Sequence, residues 1–148
     1  MTIKNLKEEF SNYCKNNKLE INRYQIRVIK LLNKFYINCF EKSFLSLFKK
    51  KNKKLGFYLV GDVGVGKTMI LDFFYKNINA SKQRLHFNEF MISYHNFSHT
   101  CKKIEKSNVI ELFVKKISKQ YELIYFDEFQ VTNIVDAMIL GKLFETMF

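Results

Sequence analysis

The sequence predicts an α/β fold with a mainly parallel sheet, preceded by helices. From Gly56 onward, short apolar runs alternate with segments whose apolar residues recur at helical spacing. Strands that alternate with helices favour a parallel sheet. Before Gly56 the spacing is helical throughout. With 47% apolar residues and 16 Phe among its 148 residues, the chain has ample material for a core.

Two helices and a connector are predicted for the first third of the chain. Thr2 would cap a helix through about Asn16, and a longer helix would run from about Glu20 to Phe48. The predicted buried stripe of the second helix comprises Ile21, Tyr24, Val28, Leu31, Leu32, Phe35, Phe40, Phe44 and Leu47. The run Lys49–Lys54 indicates a polar connector. We therefore expect a basic helical segment over residues 1–54 and a partial α/β domain with three strands over residues 55–148.

Positive charge is concentrated in the first third. Met1–Gly56 holds 14 Lys and Arg against 4 acidic residues, a balance of +10 within the chain total of +11. Such a segment could bind nucleic acid, anionic lipid or an acidic partner. The simpler interpretation is that these basic residues lie on a solvated helix surface and in a loop. No apolar run is long enough to predict a membrane span. The start MTIKNLKEEF carries Glu8 and Glu9 and has no long apolar run, so it does not resemble a signal or transit peptide.

The three cysteines, Cys14, Cys39 and Cys101, are far apart in the sequence. They predict reduced thiols in a cytosolic type of compartment.

Three strands and four helices are predicted after Gly56. The strands are residues 57–60, 84–87 and 123–126, each a short apolar run with β propensity. The helices are residues 68–78, 88–103, 108–119 and 133–148.

A glycine-rich turn follows the first predicted strand. It fits the pattern G-x-x-x-x-G-K-[ST] and directly precedes a predicted helix, which predicts a P-loop that binds a nucleoside triphosphate. Its glycines let backbone N–H groups surround phosphate oxygens, and the helix N-terminus adds its positive dipole end. Lys67 would reach the β and γ phosphates, and the Thr68 hydroxyl would bind Mg²⁺. The predicted nucleotide contacts are Gly61, Asp62, Val63, Gly64, Val65, Gly66, Lys67, Thr68 and Met69.

An acidic pair ends the third predicted strand, in the segment LIYFDEF. The carboxyl ends of strands are where α/β sheets bind ligands. Asp127 would take part in Mg²⁺ binding, and Glu128 would orient and polarise the attacking water. Lys67 and Glu128 are therefore the predicted catalytic residues.

The histidines predict no metal centre. His95 and His99 are four residues apart on a predicted helix, near Cys101, but no glutamate follows the first histidine as in zinc-protease motifs. Packing or surface roles are expected for them, and a structural role for His86.

Several longer segments resemble the ZapE family of AAA+ ATPases and its mitochondrial AFG-like relatives. They are GFYLVGDVGVGKTMILDFFY, RLHFNEFM, LIYFDEFQVTNIVDAMILGKLF and, around Gln25, LEINRYQIRVIKLL. The resemblance implies binding of ATP and Mg²⁺ through Gly61–Thr68, with hydrolysis by Asp127 and Glu128. It further implies remodelling of a protein partner, either in division-ring dynamics in the bacterial cytoplasm or in membrane-protein quality control in mitochondria. The resemblance implies a homo-oligomeric ring only for a full-length chain.

The same resemblance implies that the AAA+ sheet is incomplete here. A strand that family members place between the P-loop strand and the acidic strand lies outside these 148 residues, as do the γ-phosphate sensor, the arginine finger and the helical lid. We therefore expect a fragment or a truncated gene product. Two alternatives to an ATPase remain open: a module that binds nucleotide or a partner without turnover, and a DNA-associated ATPase of the helicase-loader type. The group-specific motifs argue against the second.

Overall fold

The computed structural model describes residues 5–40, 56–101 and 106–148. The chain forms two compact units, Met1–Asn79 and Ala80–Phe148. The expected domain boundary after residue 54, the connector Lys49–Lys54, the cap Thr2 and the end of the second predicted helix all lie outside the described residues. Within the part that is described, no helix combines the length and apolarity needed to cross a membrane.

The first unit contains three described helices: α1 (Leu6–Asn16), α2 (Arg23–Phe40) and α3 (Lys67–Asn77). They bury one face each, because their apolar residues recur three or four positions apart. The buried side chains are Leu6, Phe10 and Cys14 on α1, Ile29, Leu32 and Tyr36 on α2, and Ile70, Phe73 and Phe74 on α3. The ring of Phe73 packs against those of Phe10 and Tyr13 at centroid distances of 5.1 and 5.3 Å.

The predicted stripe on α2 was too wide. Tyr24 is 74% exposed and Leu31 45% exposed, whereas Ile29 and Tyr36, which the prediction omitted, are buried. Apolar residues surround much of this helix, so spacing alone does not select the face that packs.

Residues 57–60, predicted as the first strand, form no strand in the structure. Tyr58 and Val60 are each 72% exposed, and the Phe57 ring lies 6.0 Å from that of Phe35. A strand requires a neighbouring strand that pairs with its backbone, and the described residues of the first unit contain none. The prediction was wrong because an apolar run with β propensity indicates one strand only. It does not show that a second strand lies beside it to form the hydrogen bonds.

The second unit has a βααβα order: β1 (Lys82–His86), α4 (Phe87–Thr100), α5 (Lys106–Gln120), β2 (Leu123–Asp127) and α6 (Ile134–Met147). The two strands pair in parallel, from Lys82 opposite Leu123 to His86 opposite Asp127. The predicted elements are confirmed here to within three residues. One difference is Phe87, which begins α4 instead of ending β1. The described chain is thus a mixed fold with a small parallel sheet of two strands.

Aromatic side chains dominate the core of the second unit. The Phe90 ring lies 4.8 Å from that of Phe126 on β2 and 5.7 Å from that of Phe113 on α5. Phe87 contacts Phe129, which follows β2, at 4.8 Å. Sheet and helices are therefore joined through rings in edge or tilted contact, which is the favoured geometry for aromatic pairs.

Candidate functional site

The loop between residue 60 and α3 has a backbone that only glycine adopts easily. Gly64 and Gly66 have φ angles of 84° and 85°, in the left-handed region that costs other residues free energy. Gly66 is also the N-cap of α3, and no side chain caps that helix. The first N–H groups of a helix have no partner within it. The loop therefore brings backbone donors and the positive end of a helix dipole together.

Lys67 folds over this loop. Its Nζ donates hydrogen bonds to the carbonyl oxygens of Gly61, at 2.8 Å, and Asp62, at 2.6 Å. An ammonium group has three donors, so one remains for a further acceptor. Thr68, in the first turn of α3, is exposed.

Gln25, at the start of α2, contacts the same loop. Its Nε2 donates to the carbonyl oxygen of Val65 at 3.3 Å, and its Oε1 accepts a hydrogen bond from the backbone N–H of Asn22 at 3.2 Å. In the sequence, Gln25 is indicated only by the family resemblance. The pattern Asn-x-x-Gln before an apolar run resembles a capping box and could have indicated one of these two contacts.

The acidic pair lies in the second unit. Asp127 is the last residue of β2 and pairs with the guanidinium of Arg84 on β1. Glu128 follows it with a φ of 50°, an uncommon backbone for a residue other than glycine. Its carboxylate lies 3.8 Å from Nδ1 of His86 and is 79% exposed. His86 also caps α4 in a capping box with Glu89.

Arg84 was not predicted as a site residue. Its position in β1 could have indicated it. Residues near the carboxyl ends of two parallel strands lie at the same edge of the sheet.

His95 contacts an acidic residue of another helix. His95 Nε2 lies 2.9 Å from Oδ1 of Asp136, and this contact joins α4 to α6. Across the described residues, no group of three or more His, Cys, Asp or Glu side chains is arranged to hold a metal ion.

The predicted residues therefore fall into two groups. Gly61–Met69 lie together in the first unit, and Asp127 and Glu128 lie together in the second. In each group the side chains have partners close by: Gln25 for the loop, and Arg84 and His86 for the acidic pair.

Comparison with known proteins identifies relatives. A family model described as AFG1-like ATPase matches residues 10–148. Lactation elevated protein 1 homolog B of Danio rerio is 41% identical over 109 residues, which cover 67% of this chain and 22% of that protein. Cell division protein ZapE of Escherichia coli K12 is 36% identical over 94 residues, which cover 63% of this chain and 24% of that protein.

An uncharacterised protein of Schizosaccharomyces pombe is 40% identical over 97 residues, covering 62% of this chain and 21% of its own length. The chain thus spans less than a quarter of the length of these curated relatives. No solved structure matches it significantly. Because the family model covers nearly all of the sequence, the chain belongs to the AFG1-like ATPase family.

Proposed function

We propose that this chain binds ATP with Mg²⁺ through the loop Gly61–Gly66 and the first turn of α3. The observation that carries the proposal is the position of Lys67, whose Nζ lies on the Gly61 and Asp62 carbonyls at 2.8 and 2.6 Å. These bonds hold the ammonium over a loop in which Gly64 and Gly66 have a left-handed backbone. Family membership supports nucleotide binding independently.

In this proposal each part of the loop has one task. The backbone N–H groups from Asp62 to Thr68 donate to the β and γ phosphates, which the helix dipole also favours. The remaining donor of Lys67 neutralises charge on the γ phosphate. Val63 and Val65 contribute backbone donors. The Val63 side chain is fully exposed, whereas a methyl group of Val65 lies 3.5 Å from a methyl group built at Gly61. Met69 packs beside the loop, since its Cε lies 3.4 Å from a methyl group built at Gly66.

The proposed ligands are oxygen atoms, the type that Mg²⁺ prefers; the ion commonly keeps several waters beside one or two protein oxygens and the phosphates. Thr68 offers a hydroxyl and Asp127 a carboxylate. When bound, the cation neutralises charge that develops on the phosphates during hydrolysis. Glu128 is proposed to accept a proton from the attacking water. Its 79% exposure leaves its carboxylate accessible.

For biological role, we propose that the chain serves cell division through a protein partner in the bacterial cytoplasm, because one relative is named a cell division protein. A mitochondrial location is the alternative, since relatives also occur in eukaryotes. Imaging of a fluorescently tagged chain in its source cells distinguishes the two: signal at the division site supports the first, and mitochondrial signal supports the second.

Binding of a fluorescent ATP analogue with Mg²⁺, by wild type and Lys67→Ala, tests the nucleotide site. The variant should bind at least about tenfold more weakly, because it loses a charge-assisted hydrogen bond. Lys76→Ala is the matched control, since Lys76 is an exposed lysine in the last turn of the same helix. Equal affinity of wild type and Lys67→Ala would refute the assignment.

Turnover is tested separately with Glu128→Gln. If the chain hydrolyses ATP, this variant should lower kcat by at least about 100-fold, the usual effect of removing a general base. Glu145→Gln, an exposed glutamate on α6, controls for the change in charge. Binding of ATP without phosphate release above that of Glu128→Gln would instead identify a binding module.

A further inference from the structure

Gln25 uses both ends of one side-chain amide. Its Oε1 accepts a hydrogen bond from the N–H of Asn22, and the Asn22 side chain accepts one from the N–H of Tyr24 at 2.9 Å. Together these bonds cap the start of α2, because each satisfies a backbone N–H that has no partner within the helix. The other end, Nε2, donates to the carbonyl oxygen of Val65 at 3.3 Å. A single amide thus ties the cap of α2 to the glycine loop.

Gln25 also lies directly against Gly66. A methyl group built on Gly66 would come within 2.9 Å of the Gln25 Nε2, a distance that real side chains essentially never show. The absence of a side chain at Gly66 is therefore what lets the amide reach the Val65 carbonyl. Position 66 therefore favours glycine for two separate reasons: the close approach of Gln25 and the left-handed backbone.

The bond to Val65 sets the direction of the next N–H. The peptide between Val65 and Gly66 is trans, as are all peptides in the described chain, and in a trans peptide the C=O and N–H point in opposite directions. A carbonyl held toward Gln25 therefore turns the Gly66 N–H to the opposite side of the loop. That N–H is one of the donors assigned above to the phosphates.

We propose that Gln25 is a positioning residue for the phosphate-binding loop: by holding the Val65 carbonyl, it aims the Gly66 N–H at the phosphates. The inference rests on the proposed nucleotide site. It requires glutamine specifically, because an amide both accepts and donates whereas a carboxylate only accepts. Glutamate at this position keeps the cap of α2, loses the bond to Val65 and places a negative charge beside the loop.

Gln25→Glu is therefore the discriminating variant. It should melt close to the wild-type temperature, because the bond from the Asn22 N–H is retained, yet bind Mg²⁺·ATP and inorganic tripolyphosphate each at least about fivefold more weakly. Gln25→Ala should lose both the cap and the phosphate affinity. Gln120→Glu makes the same chemical change at an exposed position of the other unit and should alter neither property.

A second measurement does not depend on nucleotide. In ¹⁵N relaxation experiments on the unliganded chain, Gln25→Glu should lower the heteronuclear NOE of the Gly64, Val65 and Gly66 amides, while the amides of α1 keep wild-type values. Unchanged values at these three amides would overturn the proposal, whatever the chain binds. Weaker ATP binding with unchanged tripolyphosphate binding would also overturn it, because Gln25 would then act on the nucleoside.

Failure of the proposed function has a different signature. In that case wild type and Lys67→Ala both bind neither probe, while the relaxation experiment still reports whether Gln25 orders the loop.

Discussion

Nη2 of Arg84 on β1 lies 2.5 Å from Oδ2 of Asp127 on β2, the neighbouring strand of the parallel sheet. The Arg84 guanidinium also covers the ring of Tyr125, its register partner, at 5.0 Å. The arginine is thus fixed both by charge and by stacking. The carboxylate proposed to take part in Mg²⁺ binding has a cationic neighbour in its own sheet, which already balances part of its charge.

A double-mutant cycle measures this pair. Arg84→Ala and Asp127→Ala, singly and together, should give a coupling free energy of about 0.5–1 kcal/mol in urea unfolding, because both groups are partly exposed. The coupling should shrink in about 1 M NaCl, where charges are screened within about 3 Å. Arg84→Ala with Glu111→Ala, an exposed glutamate on α5, is the control cycle and should show coupling near zero. A coupling unaffected by salt would contradict an ionic contact.

The Arg84–Asp127 pair illustrates what the sequence could and could not predict. The glycine loop and the acidic pair follow from local patterns, and the strands and helices after residue 80 follow from apolar spacing. Pairing depends on which strand lies beside which, and local patterns do not contain that information. Residues 57–60 fail as a strand for the same reason, since the partner of a strand lies elsewhere in the fold. The contact of Gln25 with Val65 joins residues that are forty positions apart, so local sequence patterns do not predict it either.

Gly66→Ala tests the close approach of Gln25 to the loop. The new methyl group displaces the Gln25 amide, so the variant should lose the bond to Val65 in addition to the usual cost of about 1–2 kcal/mol for a left-handed backbone. In a Gln25→Ala background that bond is already absent. The destabilisation by Gly66→Ala should therefore be about 1 kcal/mol smaller there, as measured by urea unfolding.

Gly64→Ala is the control for this cycle. Gly64 has the same left-handed backbone, with a φ of 84°, but a methyl group built there meets nothing within 4 Å. Its cost should be the same in both backgrounds. If the two glycines respond alike to removal of the Gln25 side chain, the contact between Gln25 and Gly66 is not formed in solution.

Phe90→Ala should destabilise the second unit strongly. The side chain is 2% exposed and lies between rings from β2 and α5, so truncation leaves a large cavity at a cost of about 3–5 kcal/mol. Ile92→Ala, on the same helix but 59% exposed, should cost less than about 0.5 kcal/mol. Urea unfolding followed by far-UV circular dichroism gives both values. If Phe90→Ala does not fold, Phe90→Leu supplies a measurable intermediate loss; similar values for Phe90→Leu and Ile92→Ala would contradict this packing.

Cys14 should be the slowest of the three thiols to react. It is completely buried on α1, whereas Cys39 and Cys101 are partly exposed, and none of the three forms a disulfide. Burial raises the pKa of the Cys14 thiol above its ordinary value of 9.0, because desolvation disfavours the thiolate. Since the thiolate is the reactive form, both access and ionisation protect this residue. Titration with a chromogenic disulfide reagent at about pH 8 should show two fast thiols and one slow thiol.

The raised pKa of Cys14 also fixes the direction of a pH effect on stability. A folded-state pKa above the unfolded one means that folding favours the protonated thiol. The stability that this preference contributes is fully present below about pH 9 and is lost as the pH rises further. The free energy of unfolding of wild type should fall above pH 9 more steeply than that of Cys14→Ala. Ile92→Ala is the control, because it removes no titratable group and should leave the wild-type slope unchanged. The same slope in wild type and Cys14→Ala would show that the thiolate forms as easily in the folded chain as in the unfolded one, contrary to its burial in the core of the first unit.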